Sequence, residues 1–350
     1  TLKRSVISPM DQFETKRARL NEWKPPVEYE SVALAGPAKK HVAKPSQPIV
    51  SKQPLFSDRG GLVNTGNNCY ANAVLQCLVR QRGFVNAIEE RKTLVPMEYS
   101  AFVKAFLRVS RHVKGGSQRT LDATNVKDLV ASNEHASENA KRFGNKAQQD
   151  AHEFLVYLLT TFEGAFGEEF VREFFESRIT QKILCTDPDC GHAQVQEQKV
   201  LDLQVDIPYD NQETSLSISQ LLGKTFRRER IDDYSCEKCK GKGAIKRLQI
   251  TKLAPIVIVQ IKRFTFDNKK KNDAIEVDQM VKIKDHYLEL NSVVFHSGNS
   301  MGFGHYTATA KEGETWTSFD DSKVTKGLTV DSVLKKLANQ RNTYLAIYMK

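Results

Sequence analysis

The sequence predicts an α+β fold in which helices come first along the chain and strands follow. Apolar residues recur at helical spacing in residues 69–80, 99–112 and 148–162. After Phe175 the pattern becomes strand-like, and residues 256–264 form a nearly continuous β-branched run that is typical of a central strand. Helices and strands are thus segregated rather than alternating, which disfavours an α/β fold with a parallel sheet.

The strand-like half of the chain is made of short segments, and no internal repeat is visible. Besides the central run, strands are predicted over residues 177–184, 193–207, 244–251, 293–296, 304–310, 315–319 and 343–349.

Residues 1–56 differ in composition from the rest of the chain. They hold seven of the 11 prolines and a net charge of +5, from ten Lys/Arg against five Asp/Glu. We expect a mostly disordered, basic tail here, followed by one folded domain over residues 57–350. The basic clusters 16–19 and 39–40 are compatible with a nuclear address, with a nucleic-acid contact or with a solvated linker.

Composition sets broad limits on the class of protein. The chain has 350 residues, a formal charge of +10 and six cysteines. No apolar run reaches the roughly 18 residues of a membrane helix, and no secretory signal opens the sequence, so we expect no membrane partner. Four cysteines fall into two close pairs, which favours a reducing compartment, nucleus and/or cytoplasm. The first residue is Thr1, compatible with a fragment of a longer protein.

A candidate nucleophile lies in residues 61–78, GLVNTGNNCYANAVLQCL. The Gly/Asn-rich turn places Cys69 at or beside a helix start, where the helix dipole and free N–H groups favour the thiolate. Neighbouring N–H groups, with the amide of Asn64, can stabilise an oxyanion. The alternative is a buried structural cysteine, which is how we interpret Cys77, two turns further along the same helix.

A candidate base and its partner lie near the other end of the chain. His305 follows a glycine-rich loop, SGNSMGFG, directly before a strand. A thiol protease needs a histidine that takes the thiol proton and later protonates the leaving amine. Asp320 and Asp321 end the next strand, where a carboxylate can orient the imidazole. An ordinary strand-start histidine and ordinary turn acids are the alternatives.

A candidate metal site is formed by two cysteine pairs, Cys185/Cys190 and Cys236/Cys239, spaced x4 and x2. Four thiolates are a ligand set for a structural, tetrahedral Zn²⁺ with no open position. A zinc knuckle in a basic chain also suggests a nucleic-acid-binding protein, although the aromatic residues of a single-strand binder are missing nearby.

Five segments together resemble the catalytic domain of the ubiquitin-specific proteases, in that family's order. They are the Cys box GLVNTGNNCY (61–70), QDAHEFL (149–155), IKRF (261–264), the His box GHYTA through FDDS (304–322), and a closing strand (344–348). Thr65, Asn68 and Ala71 depart from the residues usual there, and none of the three removes a catalytic group.

The resemblance implies a thiol-dependent deubiquitinase with a papain-like, hand-shaped fold. The thumb would be helical (about 60–170), the fingers zinc-tipped (about 176–249) and the palm a β-sheet (about 250–350). Ubiquitin and ubiquitinated proteins would be its partners, zinc its only cofactor and a structural one. A catalytically weak ubiquitin-binding scaffold is the alternative within the family.

Residue roles follow from the resemblance. Catalysis would use Cys69 as nucleophile, His305 as base, Asp320 as third triad member, Asn64 as oxyanion donor and Asp321 as support. Substrate would contact Asp150, Glu153, Phe264, Gly304 and Tyr306. Since Asp150 and Glu153 are three residues apart on one predicted helix, we expect them to share a face and to bind an arginine of the Arg-Leu-Arg-Gly-Gly tail of ubiquitin.

Overall fold

A computed structural model describes residues 55–56, 60–115, 119–133, 136–208, 216–266, 269–300, 302–337 and 341–350. The tail predicted to be disordered therefore lies outside the described residues up to residue 54, together with both basic clusters. No helix within the described ranges is both long and apolar enough to cross a membrane.

The chain forms a helical half followed by a β-rich half. The helices are α1 (Cys69–Leu78), α2 (Arg82–Arg91), α3 (Met97–Gly115), α4 (Thr124–Ser132), α5 (Glu138–Lys141), α6 (Ala151–Phe166), α7 (Glu168–Phe175), α8 (Ile218–Thr225) and α9 (Val330–Leu337). The strands are β1 (Leu55–Phe56), β2 (Ser177–Cys185), β3 (Ala193–Val200), β4 (Asp202–Asp206), β5 (Leu216–Ser217), β6 (Glu229–Ser235), β7 (Lys242–Lys252), β8 (Ile256–Lys262), β9 (Ile275–Glu276), β10 (Met280–Ile283), β11 (His286–Ser300), β12 (Phe303–Glu312), β13 (Thr315–Asp320), β14 (Lys323–Leu328) and β15 (Thr343–Met349). The predicted α+β class is confirmed.

The larger sheet has nine strands in the order β1-β14-β13-β12-β11-β15-β8-β4, with β10 paired to β11. Alternate residues of β8 enter two different cores. Ile256 and Ile258 face the core shared with α1 and the other thumb helices, whereas Val257, Val259 and Ile261 face the core that contains α8 and α9. Because both faces of β8 are buried, its sequence is a nearly continuous run of β-branched residues.

Helix α1 lies between the sheet and the other helices, and all ten of its residues are buried. It packs against α6 on one side and β12 on the other. The cysteine at its first position therefore sits where helices and sheet meet.

The smaller sheet has four strands in the order β3-β2-β7-β6 and carries the four paired cysteines at one end. The structure divides the range predicted for the fingers differently from the sequence interpretation. Strand β4 joins the larger sheet by parallel pairing with β8, and α8 packs in the core behind that sheet. The finger-like sheet is thus built from residues 177–200 and 229–252.

Strand β1 departs from the expectation for the tail. Leu55 pairs with Lys326 and Phe56 with Thr325, so the last two residues of the predicted tail add an antiparallel edge strand to β14. Helices α8 and α9 in the β-rich half and strands β5, β6, β9, β10 and β14 were also not predicted. Helices α2, α4 and α5 lie in the range expected to be helical, about 60–170, but were not predicted individually. Helix α2 buries only Phe84, Val85 and Ile88, too few apolar residues for a clear period.

Candidate active site

The nucleophile segment is held against the turn that carries the two acids. The Leu62 N–H donates to the Asp321 carbonyl at 3.0 Å. A Cβ on Gly61 would lie 2.3 Å from the Ser322 carbonyl oxygen, so only glycine fits at this approach. Cys69 is the first residue of α1 and is 1% exposed. The predicted helix-start position of this thiol is found in the structure.

His305 lies between the candidate nucleophile and the candidate acid. Its Nε2 is 2.6 Å from Asp320 Oδ1, and the Cys69 thiol lies close enough to the ring to be the largest influence on its pKa. The pKa of His305 rises to about 9, first because of the hydrogen bond to Cys69 and then because of the one to Asp320, against the opposing effect of burial. The structure therefore brings together the three residues predicted as a triad, with a hydrogen bond between His305 and Asp320.

Asp321 binds two asparagines of the nucleophile segment. Its Oδ2 accepts from Asn64 Nδ2 at 2.9 Å and its Oδ1 from Asn72 Nδ2 at 2.8 Å. Its backbone has a φ of 52°, which turns the chain sharply between β13 and β14. Asn64 Oδ1 in turn accepts from the N–H of Asn68 at 2.9 Å. Asp321 therefore holds the side chain of Asn64, and the oxyanion role of Asn64 and the supporting role of Asp321 stay predictions.

Two of the three departures from the family's usual residues contact each other. Asn68 Nδ2 donates to the hydroxyl oxygens of Thr65 and Thr124, both at 2.8 Å, and the two hydroxyls lie 2.8 Å apart. The network ties the residue before the nucleophile to the start of α4. The two departures, Thr65 and Asn68, therefore form a local hydrogen-bond network with Thr124.

Gln148 is a site residue that the sequence interpretation missed. Its Nε2 donates to the Gly304 carbonyl at 2.6 Å and lies 3.8 Å from Cys69 Sγ. It therefore joins the thumb, the nucleophile and the loop before His305. Gly304 packs directly on the buried His296 ring, because a Cβ there would lie 2.2 Å from His296 Nε2.

Asp150 does not lie on an exposed helix face with Glu153, contrary to the expectation. It is the N-cap of α6, with an extended backbone (φ −80°, ψ 133°), and its Oδ1 accepts from the Glu153 N–H at 2.9 Å. Its Oδ2 accepts from the hydroxyls of Tyr344 at 2.6 Å and Tyr306 at 3.3 Å. Asp150 is 2% exposed, and burial raises its pKa. It connects thumb and palm from inside the protein.

The other predicted substrate residues differ in accessibility. Tyr306 is 1% exposed, so it lines the interior beneath the cleft rather than its surface. Phe264 is half-buried and lies edge-on to the rings of His296 and Tyr344, with centroids 5.1 and 5.6 Å apart. Glu153 is partly exposed and forms an ion pair with Arg142. Glu153, Phe264 and Gly304 thus remain open to a ligand.

The four paired cysteines meet at the tip of the smaller sheet, and their sulfurs all lie within 4.8 Å of one another. Two of the distances, Cys185 to Cys239 and Cys190 to Cys236, are both 3.7 Å. These distances exclude disulfides, whose sulfurs are about 2.05 Å apart. A tetrahedral Zn²⁺ with bonds of about 2.3 Å needs sulfurs about 3.8 Å apart, so the four thiols fit this ion.

Comparisons with known proteins agree with this architecture. The chain is 25% identical to ubiquitin carboxyl-terminal hydrolase 23 of Arabidopsis thaliana over 83% of its length, but spans 35% of that relative. It is 26% identical to hydrolase 12 of Salmo salar and to hydrolase 37 of Mus musculus, covering 78% and 70% of this chain and 83% and 28% of those relatives.

Solved structures of the Ubp8/Sgf11/Sus1/Sgf73 module of SAGA share the fold. In the complexes bound to ubiquitin aldehyde and to monoubiquitin, the matched chain superposes with TM-scores of 0.69 and 0.67 at 24% identity, covering 86% of this chain and 71% of that one. The sequence model of the ubiquitin carboxyl-terminal hydrolase family matches residues 60–348. Because that match includes both sheets, the helical half and every candidate catalytic residue, the chain belongs to the ubiquitin carboxyl-terminal hydrolase family.

Proposed function

We propose that this protein is a thiol-dependent deubiquitinase that hydrolyses the bond after the C-terminal glycine of ubiquitin. The observation that carries the proposal is that Cys69 at the start of α1 lies beside His305, whose Nε2 is 2.6 Å from Asp320 Oδ1. Nucleophile, base and orienting acid in this order can run acyl transfer. Family membership supplies ubiquitin as the substrate.

In the first half of the reaction, the Cys69 thiolate attacks the carbonyl carbon of the terminal glycine. The raised pKa of His305, about 9, keeps the ring protonated at neutral pH while it faces the thiol. The imidazolium then donates its proton to the departing amine as the C–N bond breaks. This step leaves a thioester between Cys69 and ubiquitin and a neutral imidazole.

In the second half, the neutral His305 takes a proton from water, and the resulting hydroxide attacks the thioester carbonyl. The C–S bond breaks and the sulfur leaves as thiolate beside the imidazolium, which keeps the proton taken from water. Ubiquitin leaves as a carboxylic acid, which releases its remaining proton to solvent. Asp320 Oδ1, 2.6 Å from Nε2, holds the ring orientation through both halves, so that Nδ1 faces the sulfur.

The oxyanion of both tetrahedral intermediates would be bound by the amide of Asn64 and by N–H groups at the start of α1. One Nδ2 proton of Asn64 is committed to Asp321, which fixes the amide plane and leaves the second proton for the substrate. Preorganised donors of this kind contribute about 2.7–4 kcal/mol each to transition-state stability. Asp321 acts here as a positioning residue.

The ubiquitin tail would run between the helical half and the larger sheet, past Gly304 and Phe264. The missing side chain of Gly304 lets the strand before His305 pack closely on the buried His296 ring, which fixes the wall of this passage. Of the two predicted acids, Glu153 is the one that a tail arginine can reach, because Asp150 is occupied by two tyrosine hydroxyls.

The four-cysteine cluster would hold one structural Zn²⁺. A closed set of four thiolates leaves no position for water or substrate, so the ion would contribute stability to the smaller sheet rather than chemistry. Reduced, paired cysteines support an intracellular location, nucleus and/or cytoplasm.

Two alternatives remain distinct from this proposal. A catalytically weak scaffold would bind ubiquitin without turnover, but the filled triad favours an enzyme. Nucleic-acid binding through the basic tail would depend on residues outside those that the structure describes.

The test is hydrolysis of ubiquitin carrying a fluorogenic amide at its C-terminus, with the same fluorophore on an unrelated peptide as control. Selective release from ubiquitin is expected. Saturable binding of ubiquitin with no release would favour the scaffold.

A further inference from the structure

Glu153, the accessible acid near the start of α6, is already paired with a cation of this chain. Its Oε2 contacts Nη2 of Arg142, which begins the short turn Arg142–Gly144 before α6. The side chain of Arg142 is 36% exposed and that of Glu153 is 42% exposed, so the pair lies at the surface. A cation arriving from solvent would therefore compete with Arg142 for this carboxylate.

The geometry of the pair is that of an exchangeable contact. Exposed ion pairs contribute little to stability, so this one opens easily. Arg142 Nε is buried without a hydrogen-bond partner among the described residues, so the guanidinium does not engage Glu153 through the two-pronged fork of a strong pair. The guanidinium carbon lies 5.4 Å from the Phe143 ring centroid. The stem of Arg142 can stay on this buried ring while its charged end moves.

The neighbouring acid cannot take over the role of Glu153. Asp150 is 2% exposed, and its carboxylate accepts bonds from Tyr306, Tyr344 and the Glu153 N–H. Rotating it toward solvent would uncap α6 and leave two buried hydroxyls without a hydrogen-bond partner, which is strongly unfavourable. Recognition of a cation at this end of α6 thus depends on Glu153.

We infer that Arg142 occupies, in the free protein, the position that an arginine of the substrate tail takes on Glu153, and that it is a specificity-determining residue. The inference rests on the proposed function, since it takes the ubiquitin tail as substrate. Replacing one guanidinium by another on the same carboxylate is nearly balanced in free energy. A tail with arginine displaces Arg142 at little cost, whereas a tail without it leaves Arg142 in place.

The test compares KM values of the wild-type protein and Arg142→Gln for two substrates. One is the ubiquitin fluorogenic amide, and the other is the same amide made on ubiquitin whose two tail arginines are changed to glutamine. Arg142→Gln keeps much of the stem on Phe143 and removes the charge. The matched control is Lys141→Gln, one residue away from Arg142. It removes an equal charge, and Lys141 also forms an exposed ion pair, with Glu138.

Removing the competitor is expected to lower KM for the arginine-bearing substrate about twofold to fivefold with unchanged kcat, by the arithmetic of an exposed pair. Lys141→Gln should leave KM unchanged. For the neutralised substrate, wild type and Arg142→Gln should have the same KM. A higher KM for Arg142→Gln would show that Arg142 holds Glu153 in place for substrate, and an unchanged KM would show a solvated pair. Either result overturns the inference.

A second variant guards against a folding defect in Arg142→Gln. Glu153→Gln opens the same pair from its other side and should raise KM for the arginine-bearing substrate only. An unchanged KM of this variant for the arginine-bearing substrate, relative to wild type, would also overturn the inference. Failure of the wild-type protein to cleave either ubiquitin amide would instead refute the proposed function, so the two failures are distinguishable.

Discussion

The active-site cleft and the tip of the smaller sheet both depend on cysteine, yet they surround it with opposite partners. At the cleft, the Cys69 thiol lies beside the imidazole of His305 in β12. That imidazole in turn binds the carboxylate of Asp320 at the end of β13. At the tip, four cysteines meet one another and no histidine or acid belongs to the described ligand cluster. The neighbours rather than the thiol decide whether a cysteine is placed for chemistry or for structure.

A third environment lies on the same helix as the nucleophile. Cys77 is buried two turns after Cys69, and burial raises the pKa of its thiol to about 11. It therefore stays protonated at neutral pH, and it can be compared with the thiols of the cleft and of the tip as an unreactive buried cysteine.

The largest effect is expected from removing the cleft thiol. Cys69→Ala should abolish hydrolysis of the ubiquitin amide, because no other thiol faces His305 among the described residues. Ubiquitin binding, measured by calorimetry, should persist. Cys77→Ala is the control and should keep turnover with a lower melting temperature, as expected for a small cavity. Equal loss in both variants would contradict the distinction between the two cysteines.

The next largest effect concerns the acid behind the imidazole. Asp320→Asn should lower kcat by roughly 10²- to 10⁴-fold, since the ring loses its orienting carboxylate. The pH profile provides a sharper readout. The pKa of His305 is about 9 and the hydrogen bonds to Cys69 and Asp320 raise it, so wild-type activity should fall as pH rises through about 9. In Asp320→Asn the alkaline limb should move to lower pH. A limb that stays in place would assign it to another group.

A change at the sheet tip should affect binding more than chemistry. Cys236→Ala removes one of four thiols, so we expect loss of about one zinc per chain, measured by elemental analysis. Limited proteolysis should then cut within residues 177–252. KM for the ubiquitin amide should rise, while alkylation of Cys69 by iodoacetamide should keep its rate. Active protein without any metal would remove the structural role of zinc.

The smallest effect is expected at the N-terminus. A chain starting at residue 55 keeps β1 and should retain full turnover, because the proline-rich, basic composition of residues 1–54 cannot build a core. A chain starting at residue 60 loses the edge strand on β14, next to the turn that carries both acids, and should melt earlier. Loss of most turnover on removing residues 1–54 would show that the tail completes the site.

The sequence alone predicted the fold class and the triad because each catalytic residue sits in a contiguous motif at an element end. It misplaced Asp150, because i,i+3 spacing implies a shared face only when both residues lie inside the helix. Here Asp150 is the N-cap, and its side chain turns back to the Glu153 N–H. An Asp three residues before a Glu at a helix start is an N-cap signature that could have identified it.

Gln148 could not be predicted from its motif, because its role arises from tertiary contacts. Its amide becomes part of the site only when β12 brings the Gly304 carbonyl to 2.6 Å from it. Likewise, nothing local in the sequence shows that Thr65, Asn68 and Thr124 meet, since α4 approaches the nucleophile loop only in the folded chain.

The most direct test of the central claim is labelling with ubiquitin whose C-terminus carries a thiol-reactive warhead. We expect one ubiquitin attached per chain. Peptide mass spectrometry should locate the adduct at Cys69, with none at Cys77 or at the four tip cysteines. Asp320→Asn should be labelled more slowly and Cys69→Ala not at all. An adduct at any other cysteine, or no adduct on folded wild-type protein, would contradict the assignment of the cleft as a deubiquitinase active site.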